Sequence, residues 1–503
     1  MTASASTKAW RCTVCGYIHR AADPPDCCPV CGSDKTDFEP HAEAAAPVPA
    51  AAPLRWRCLN CGYVHVGPKP PDECPVCGAA VDRFEPAPEE GVTARGTEAA
   101  GRVLVIGAGV AGVSTIEALR RAAPNAAITL VAKESSLPYY RLNLTRYLAG
   151  ELTAGDLPIH PAEWYAQQRV ELLTGAEVAD LEPGERRVRL RDGRTASFDR
   201  LVITCGAHPF VPPFPGTHLD GVSALRTLAD AEHIMAAARA GHACVVIGGG
   251  LLGLETAGAL ARQGADVTLL EGHEWLMPRQ LNRRAGELLM DFVRGSGVKL
   301  RTKANTTELV GDERVSGVQL KDGAVVRAEF VILAAGVRPN SYLARRAGLE
   351  VNQGIVVNNR LFTSHPQVLA AGDVAEHHGL LYGSWGAAQY QGSIAGLNAA
   401  GVDTEFGGIP RSNTLKVLGV ELLSIGKFEP EDASYVVLEQ EAEGKYLRFL
   451  FRDGNLVGAI LLGDTSISTA VKKAVETRTD FSGVLAARPR AADIRDHLKQ
   501  TAP

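Results

Sequence analysis

Beyond residue 90 the 503-residue sequence has only two cysteines, Cys205 and Cys244, although the chain carries 11 in all. A disulfide-stapled body is thereby excluded, and both thiols read as small buried hydrophobes. Long apolar runs are lacking too. The longest, "ACVVIGGGLLGLETAGALA", is broken by Glu255 and dense in glycine, so no membrane span is expected. The opening "MTASASTKAW" has no apolar core of signal-peptide length, which leads us to expect a cytoplasmic protein. Excess charge of one sign is also scarce. The net charge is −5, and −4 of it falls on residues 1–90, where 8 Lys and Arg stand against 12 Asp and Glu. A mildly acidic arm argues against nucleic acid and anionic membranes as partners.

The other nine cysteines crowd into that arm. "WRCTVCGYIH" from Trp10 returns 46 residues later as "WRCLNCGYVH" from Trp56, and "CPVCG" closes each copy. The spacing is C-x2-C, 12 residues, C-x2-C in both, giving Cys12, Cys15, Cys28 and Cys31, then Cys58, Cys61, Cys74 and Cys77. Four thiolates on two tight knuckles form a tetrahedral site that suits zinc or a single iron. Cys27 has Glu73 as its counterpart and is read as a spare thiol. Ala/Pro stretches such as "HAEAAAPVPAAAPL" follow each copy as linkers.

From Gly101 the texture changes. "RVLVIGAGVAGVSTIEALRRA" reads as a strand, a Gly-rich turn and a helix, and "ACVVIGGGLLGLETAGALARQGADVTLLEGHE" repeats that grammar. Gly107, Gly109 and Gly112 stand in G-x-G-x-x-G register, as do Gly248, Gly250 and Gly253. These glycines permit a tight turn and close approach of the backbone to a pyrophosphate at the helix N-terminus. Two such units imply two nucleotide-binding α/β domains. Glu134, after the next strand, is a candidate for a ribose hydroxyl. Glu271 occupies the same place in the second unit, where a carboxylate favours NADH by repelling the 2′-phosphate of NADPH. Asp453-Gly454 signals a hairpin near the end.

Two resemblances extend this reading. "WRCxxCGYxH…CPVCGxxxxxFEP" resembles the short, rubrerythrin-type rubredoxin module, which implies one iron per module shuttling one electron; zinc remains the alternative. Residues 101–470 resemble NADH:rubredoxin oxidoreductases and the flavin part of NADH-dependent nitrite reductases, through "LPYYRLNLTRYLAGE", "EWLMPRQL", "LAAGVRPN", "AAGDVAEH" and "LKVLGVELLSIG". The resemblance implies FAD on the first turn and NAD(H) on the second. It implies that Gly372 and Asp373 form the second flavin-binding motif, with Asp373 holding the ribityl chain, and that Arg141 contributes to cofactor binding. It puts Arg146 where the family has a lysine near the flavin, and Glu255 where it has that lysine's glutamate partner. These two are the implied catalytic pair. No CxxxxC follows the first helix, so disulfide-reductase chemistry lacks its sulfur.

The expected fold is α/β, a two-dinucleotide-binding-domain flavoprotein with a small C-terminal α+β domain, preceded by two rubredoxin-like β domains. Expected boundaries are 1–45 and 46–90 for the modules, with 101–215 and 338–408 forming the FAD-binding domain. Residues 216–337 form the NAD-binding domain and 409–503 the C-terminal, dimerisation domain. The expected activity carries electrons from NADH through FAD to the fused iron centres and on to an external acceptor protein, in a homodimer. The alternative is an NADH oxidase or nitrite-reductase-type flavin reductase with zinc-bound interaction modules.

Overall fold

The computed structural model describes residues 9–12, 18–20, 23–26, 34–41, 55–58, 64–66, 69–71, 81, 84–86, 101–238, 240–410, 412–417 and 419–500. Contacts divide the chain into two compact units. The first comprises Met1–Tyr139, Ile159–Ala207 and Pro339–Pro410, and the second Tyr140–Pro158, His208–Arg338 and Arg411–Pro503.

The two cysteine repeats build the same miniature sheet. Strand Ala9–Cys12 lies antiparallel between Ile18–Arg20 and Phe38–His41. Strand Arg55–Cys58 lies likewise between Val64–Val66 and Phe84–Pro86. The register repeats as well. Trp10 faces His19 and Pro40, Trp56 faces His65 and Pro86, and Cys12 pairs with Phe38 as Cys58 does with Phe84. Phe38 and Phe84 are buried. Strands this short bury too little to hold themselves together, which is the physical case for a metal staple. Cys15, Cys28, Cys31, Cys61, Cys74 and Cys77 lie outside the described residues.

In the first unit a five-stranded parallel sheet runs in the order Val368–Ala370, Arg200–Ile203, Arg102–Ile106, Ala127–Val131, Val170–Leu173. Its central strands read as unbroken apolar runs because both faces are covered. The helices Val110–Ala122 and Trp385–Ala399 touch almost backbone to backbone. A Cβ on Gly392 would come 2.3 Å from the Ala111 carbonyl oxygen, and one on Gly396 2.3 Å from that of Thr115.

The second unit repeats the plan with Val222–Ser223, Phe330–Leu333, Ala243–Ile247, Asp266–Leu270 and Lys299–Arg301, all parallel. It also holds a five-stranded antiparallel sheet, Ser412–Val417 through Asn455–Leu462, against which the helices Ser468–Thr477 and Ala491–Gln500 pack. The hairpin expected at Asp453-Gly454 is present, with φ of 49° and 75° joining Lys445–Arg452 to Asn455–Leu462. Two positive φ values are what the twist of a two-residue turn demands.

Membership of the units cuts across the linear order. Tyr140–Pro158, expected within the 101–215 stretch, groups with the second unit. Gln263 Nε2 donates to the Ala149 carbonyl at 2.8 Å, and Arg262 at the end of helix Leu251–Arg262 pairs with Glu151. The C-terminal sheet groups there too. Ser424 Oγ donates to the Gln280 carbonyl at 2.5 Å, and Asn282 Nδ2 to Tyr446 Oη at 2.9 Å. Among the described residues no helix is long and apolar enough to cross a membrane.

Candidate functional site

Each Gly-rich turn is built by steric exclusion. Gly107 has φ +103°, and a Cβ there would lie 2.5 Å from the Thr204 carbonyl oxygen. A Cβ on Gly112 would come 2.0 Å from the Gly107 carbonyl oxygen, so only hydrogen lets the helix pack onto the turn. Gly248, with φ +116°, and Gly253 repeat these contacts at 2.5 Å from Ala334 O and 1.9 Å from Gly248 O. The middle glycines differ. A Cβ on Gly109 or Gly250 would meet nothing within 4 Å among the described residues. Each begins its helix, Val110–Ala122 or Leu251–Arg262, without a side-chain cap, so the first amides face open space. That is the room a pyrophosphate needs.

The carboxylates beside the turns are placed differently. Tyr139 Oη donates to Glu134 at 2.7 Å, while the adjacent Lys133 is exposed and pairs with Glu177 at 3.2 Å. Glu271 is buried. Its two oxygens accept from the Gly249 and His273 amides, each at 2.8 Å, tying turn to strand end.

Gly372 and Asp373 follow strand Val368–Ala370 in the first unit. Gly372 has φ +82°, and a Cβ there would lie 2.9 Å from that of Ala111, between the glycines of the first turn. The first turn and the Gly372-Asp373 motif therefore meet within one unit. Sequence reasoning missed Gln391, whose "AAQYQG" context carries no signal. It is 1% exposed, accepts the Gly372 amide at 2.8 Å, and its Nε2 has no partner among the described residues.

Arg146 and Glu255 are not brought into the expected pair. Arg146 Nε donates to Glu151 at 3.0 Å, and Arg262 binds the same carboxylate. Glu255 instead accepts from Thr145 Oγ1 at 2.9 Å. Thr145 precedes Arg146 on the short helix Leu144–Leu148 and is turned the other way, onto helix Leu251–Arg262. Burial pushes the Glu255 carboxyl up to about 7, against a lowering from Thr145, and nearby Glu151 adds to the rise. Part of the residue still reaches solvent. Arg141 Nη1 donates to the Arg226 carbonyl, so this segment is anchored at both ends.

Burial raises the Cys205 thiol to about 12 and that of Cys244 to about 11, so neither is an activated nucleophile. Cys244 is buried as expected, whereas Cys205 is partly exposed.

Residues 101–392 match the pyridine nucleotide-disulphide oxidoreductase family, 412–479 the rubredoxin NAD+ reductase C-terminal domain, and 10–39 and 56–85 the rubrerythrin, rubredoxin-like domain. The nitrite reductase [NAD(P)H] of Bacillus subtilis (strain 168) is 34% identical over 76% of this chain and 48% of its own, so the chain spans about half the length of that relative. The NADH-rubredoxin oxidoreductase of Clostridium acetobutylicum is 30% identical over 76% of this chain and 96% of its own. The crystal structure of NADH:rubredoxin oxidoreductase from Clostridium acetobutylicum superposes with a TM-score of 0.66, at 29% identity, covering 79% of this chain and 99% of that one. The reductase in the covalent putidaredoxin reductase–putidaredoxin complex gives a TM-score of 0.72 at 26% identity, over 79% and 99%. With the two-dinucleotide fold and the matched segments on either side, the chain belongs to the pyridine nucleotide-disulphide oxidoreductase family, in a form fused to rubredoxin-like modules.

Proposed function

We propose that the chain is an NADH-dependent flavoprotein oxidoreductase that moves electrons from NADH to iron centres in its own N-terminal modules and on to an external acceptor protein. The observation that carries this is the pairing, on one chain, of two dinucleotide turns with open middle glycines and two repeats of a four-cysteine frame. Gly107, Gly109, Gly112, Glu134, Gly372 and Asp373 would hold FAD, with Gln391 Nε2 as an added donor. Gly248, Gly250, Gly253 and Glu271 would hold NADH. Arg141 and Arg146 would position the segment they anchor, and Glu255 would face the chemistry.

Bound FAD would accept an electron pair and release electrons singly. Each four-thiolate site would take one electron if it holds iron. The protein's part is to bind the two nucleotides on separate turns, exclude NADPH through Glu271, and keep the metal sites tethered nearby in sequence.

Stopped-flow absorbance of the full chain mixed with NADH tests the reading, alongside iron and zinc analysis. Flavin absorbance should bleach first and the ferric-thiolate absorption afterwards, at a rate independent of protein concentration. Iron absorption that persists beside reduced flavin would refute the transfer. Zinc in place of iron would favour interaction modules on a flavin reductase, and fast oxygen consumption without iron reduction would favour an NADH oxidase.

A further inference from the structure

Glu255 sits one turn beyond the open mouth of helix Leu251–Arg262, on the face it shares with Leu251 and Leu252. Leu252 is 37% exposed and Leu142, in the neighbouring segment, 41% exposed, so the rim of this wall is apolar and open. Thr145 covers the carboxyl from the other side and is 8% exposed. Its hydroxyl reaches two acceptors, Glu255 Oε2 at 2.9 Å and the Leu142 carbonyl at 3.5 Å.

A hydroxyl has one hydrogen and two lone pairs. With Glu255 ionised, the Thr145 hydroxyl donates to it. With Glu255 protonated, the carboxyl can donate to Thr145 Oγ1 while the threonine hydrogen turns to the Leu142 carbonyl. The same heavy atoms thus satisfy both states. A cation in Thr145's place would satisfy only the ionised one.

The surrounding charges leave that choice open. On the elements packed against this helix the ionisable residues are Arg146 and Tyr147 from Leu144–Leu148, Cys244 from strand Ala243–Ile247, Asp266 from strand Asp266–Leu270, and Lys416 on strand Ser412–Val417. Arg146 and Arg262 both turn to Glu151, and Asp266 pairs with Lys299. Glu151, which both arginines hold, disfavours the Glu255 anion.

We propose that Thr145 and Glu255 form a proton-holding pair in the wall of the nicotinamide-binding unit, Glu255 taking and releasing the proton and Thr145 being the positioning residue that keeps both states hydrogen-bonded. The use of the pair rests on the function proposed above. Oxidation of one NADH to NAD+ by two one-electron acceptors yields two electrons and one proton. The electrons would pass to the two one-electron acceptors, ferric centres if the modules hold iron. The proton converts the Glu255 carboxylate to the carboxylic acid and later leaves to solvent through the open rim.

Infrared spectroscopy of the full chain as purified, without NADH, tests the pair. A protonated-carboxyl C=O band, assigned by its absence from Glu255→Gln, should disappear as pH rises through the neutral range. Thr145→Val should move that titration upward by about one pH unit, because the ionised state loses its donor. Thr145→Ser should restore the wild-type value, which guards against a folding artefact in the valine variant. A band that titrates in the ordinary carboxylate range, or at the same pH in wild type and Thr145→Val, overturns the pair. Since no nucleotide oxidation is involved, that failure is separate from failure of the proposed function. A second reading follows proton release on NADH addition with an indicator dye. If the titration behaves as expected and the delay between NADH oxidation and proton release is unchanged in Glu255→Gln, the pair's part in turnover is overturned.

Discussion

Glu271 accepts from the Gly249 amide with one oxygen and the His273 amide with the other, so an anion ties the second turn to the end of the neighbouring strand. Glu271→Gln keeps an acceptor but loses the charge. One charge-assisted bond is typically worth about 1.5–3 kcal/mol, so the ratio of kcat/KM for NADH over NADPH should fall roughly tenfold or more. Steady-state kinetics with both nucleotides measures it; a wild type that already prefers NADPH would sink the role. Glu255 supplies a second prediction, on stability. Its folded pKa, about 7, lies above the 4.5 of a free glutamate. Between those values the folded state binds more protons, so this group's contribution is fully present below pH 4.5 and is lost as pH rises through about 7. Glu255→Gln should abolish that loss, by at most about 3 kcal/mol before allowance for solvent on the open rim. Denaturant melts of both proteins across the window check it. At this scale the sequence revealed residue types better than partners. Glycine requirements are local sterics and could be read directly. The Thr145–Glu255 bond joins side chains 110 residues apart, and no spacing rule says which of two adjacent residues, Thr145 or Arg146, faces inward.

Among the elements, the two Gly-rich turns separate folding from binding within a few residues. Gly112→Ala drives a methyl to 2.0 Å from the Gly107 carbonyl, where backbone must move. Overpacking of this kind typically costs about 1–3 kcal/mol, and FAD should be lost on purification. Gly109→Ala meets no atom of the described residues within 4 Å, and its φ of −79° suits alanine. Its apoprotein should melt within about 1 kcal/mol of wild type while binding FAD much more weakly, because the methyl fills the phosphate's approach. Apoprotein melts and flavin-fluorescence titration distinguish the two; equal destabilisation, or normal FAD affinity in Gly109→Ala, would break the assignment. Strand, turn and helix of both units were legible because apolar runs and glycine spacing encode them locally. The allegiance of Tyr140–Pro158 was not, since it depends on Gln263, Arg262 and Glu255 far along the chain.

For the whole molecule, the break in composition at Gly101 separates metal ligands from nucleotide turns completely. Deleting residues 1–94 should leave a protein that binds FAD and is bleached by NADH at a near-normal rate, with no iron to reduce. Adding the arm as a separate fragment should restore transfer only as a bimolecular reaction, because the Ala/Pro linkers otherwise supply an effective concentration on the order of millimolar. Stopped-flow rates against fragment concentration measure this, and a rate that matches the intact chain at low concentration would rule out tethering as the linkers' purpose. The matched register of the two small sheets bears on what such an arm is for. Cys12 pairs in register with Phe38 just as Cys58 does with Phe84, so the two frames share one backbone plan, and irons held alike in them would sit on one level. Neighbours on a level do not form a staircase. They form a two-place reservoir, filled by a donor that gives electrons in pairs and emptied one at a time by partners arriving at random. Duplication in this chain would then set capacity, and direction would be left to whatever collects the charge.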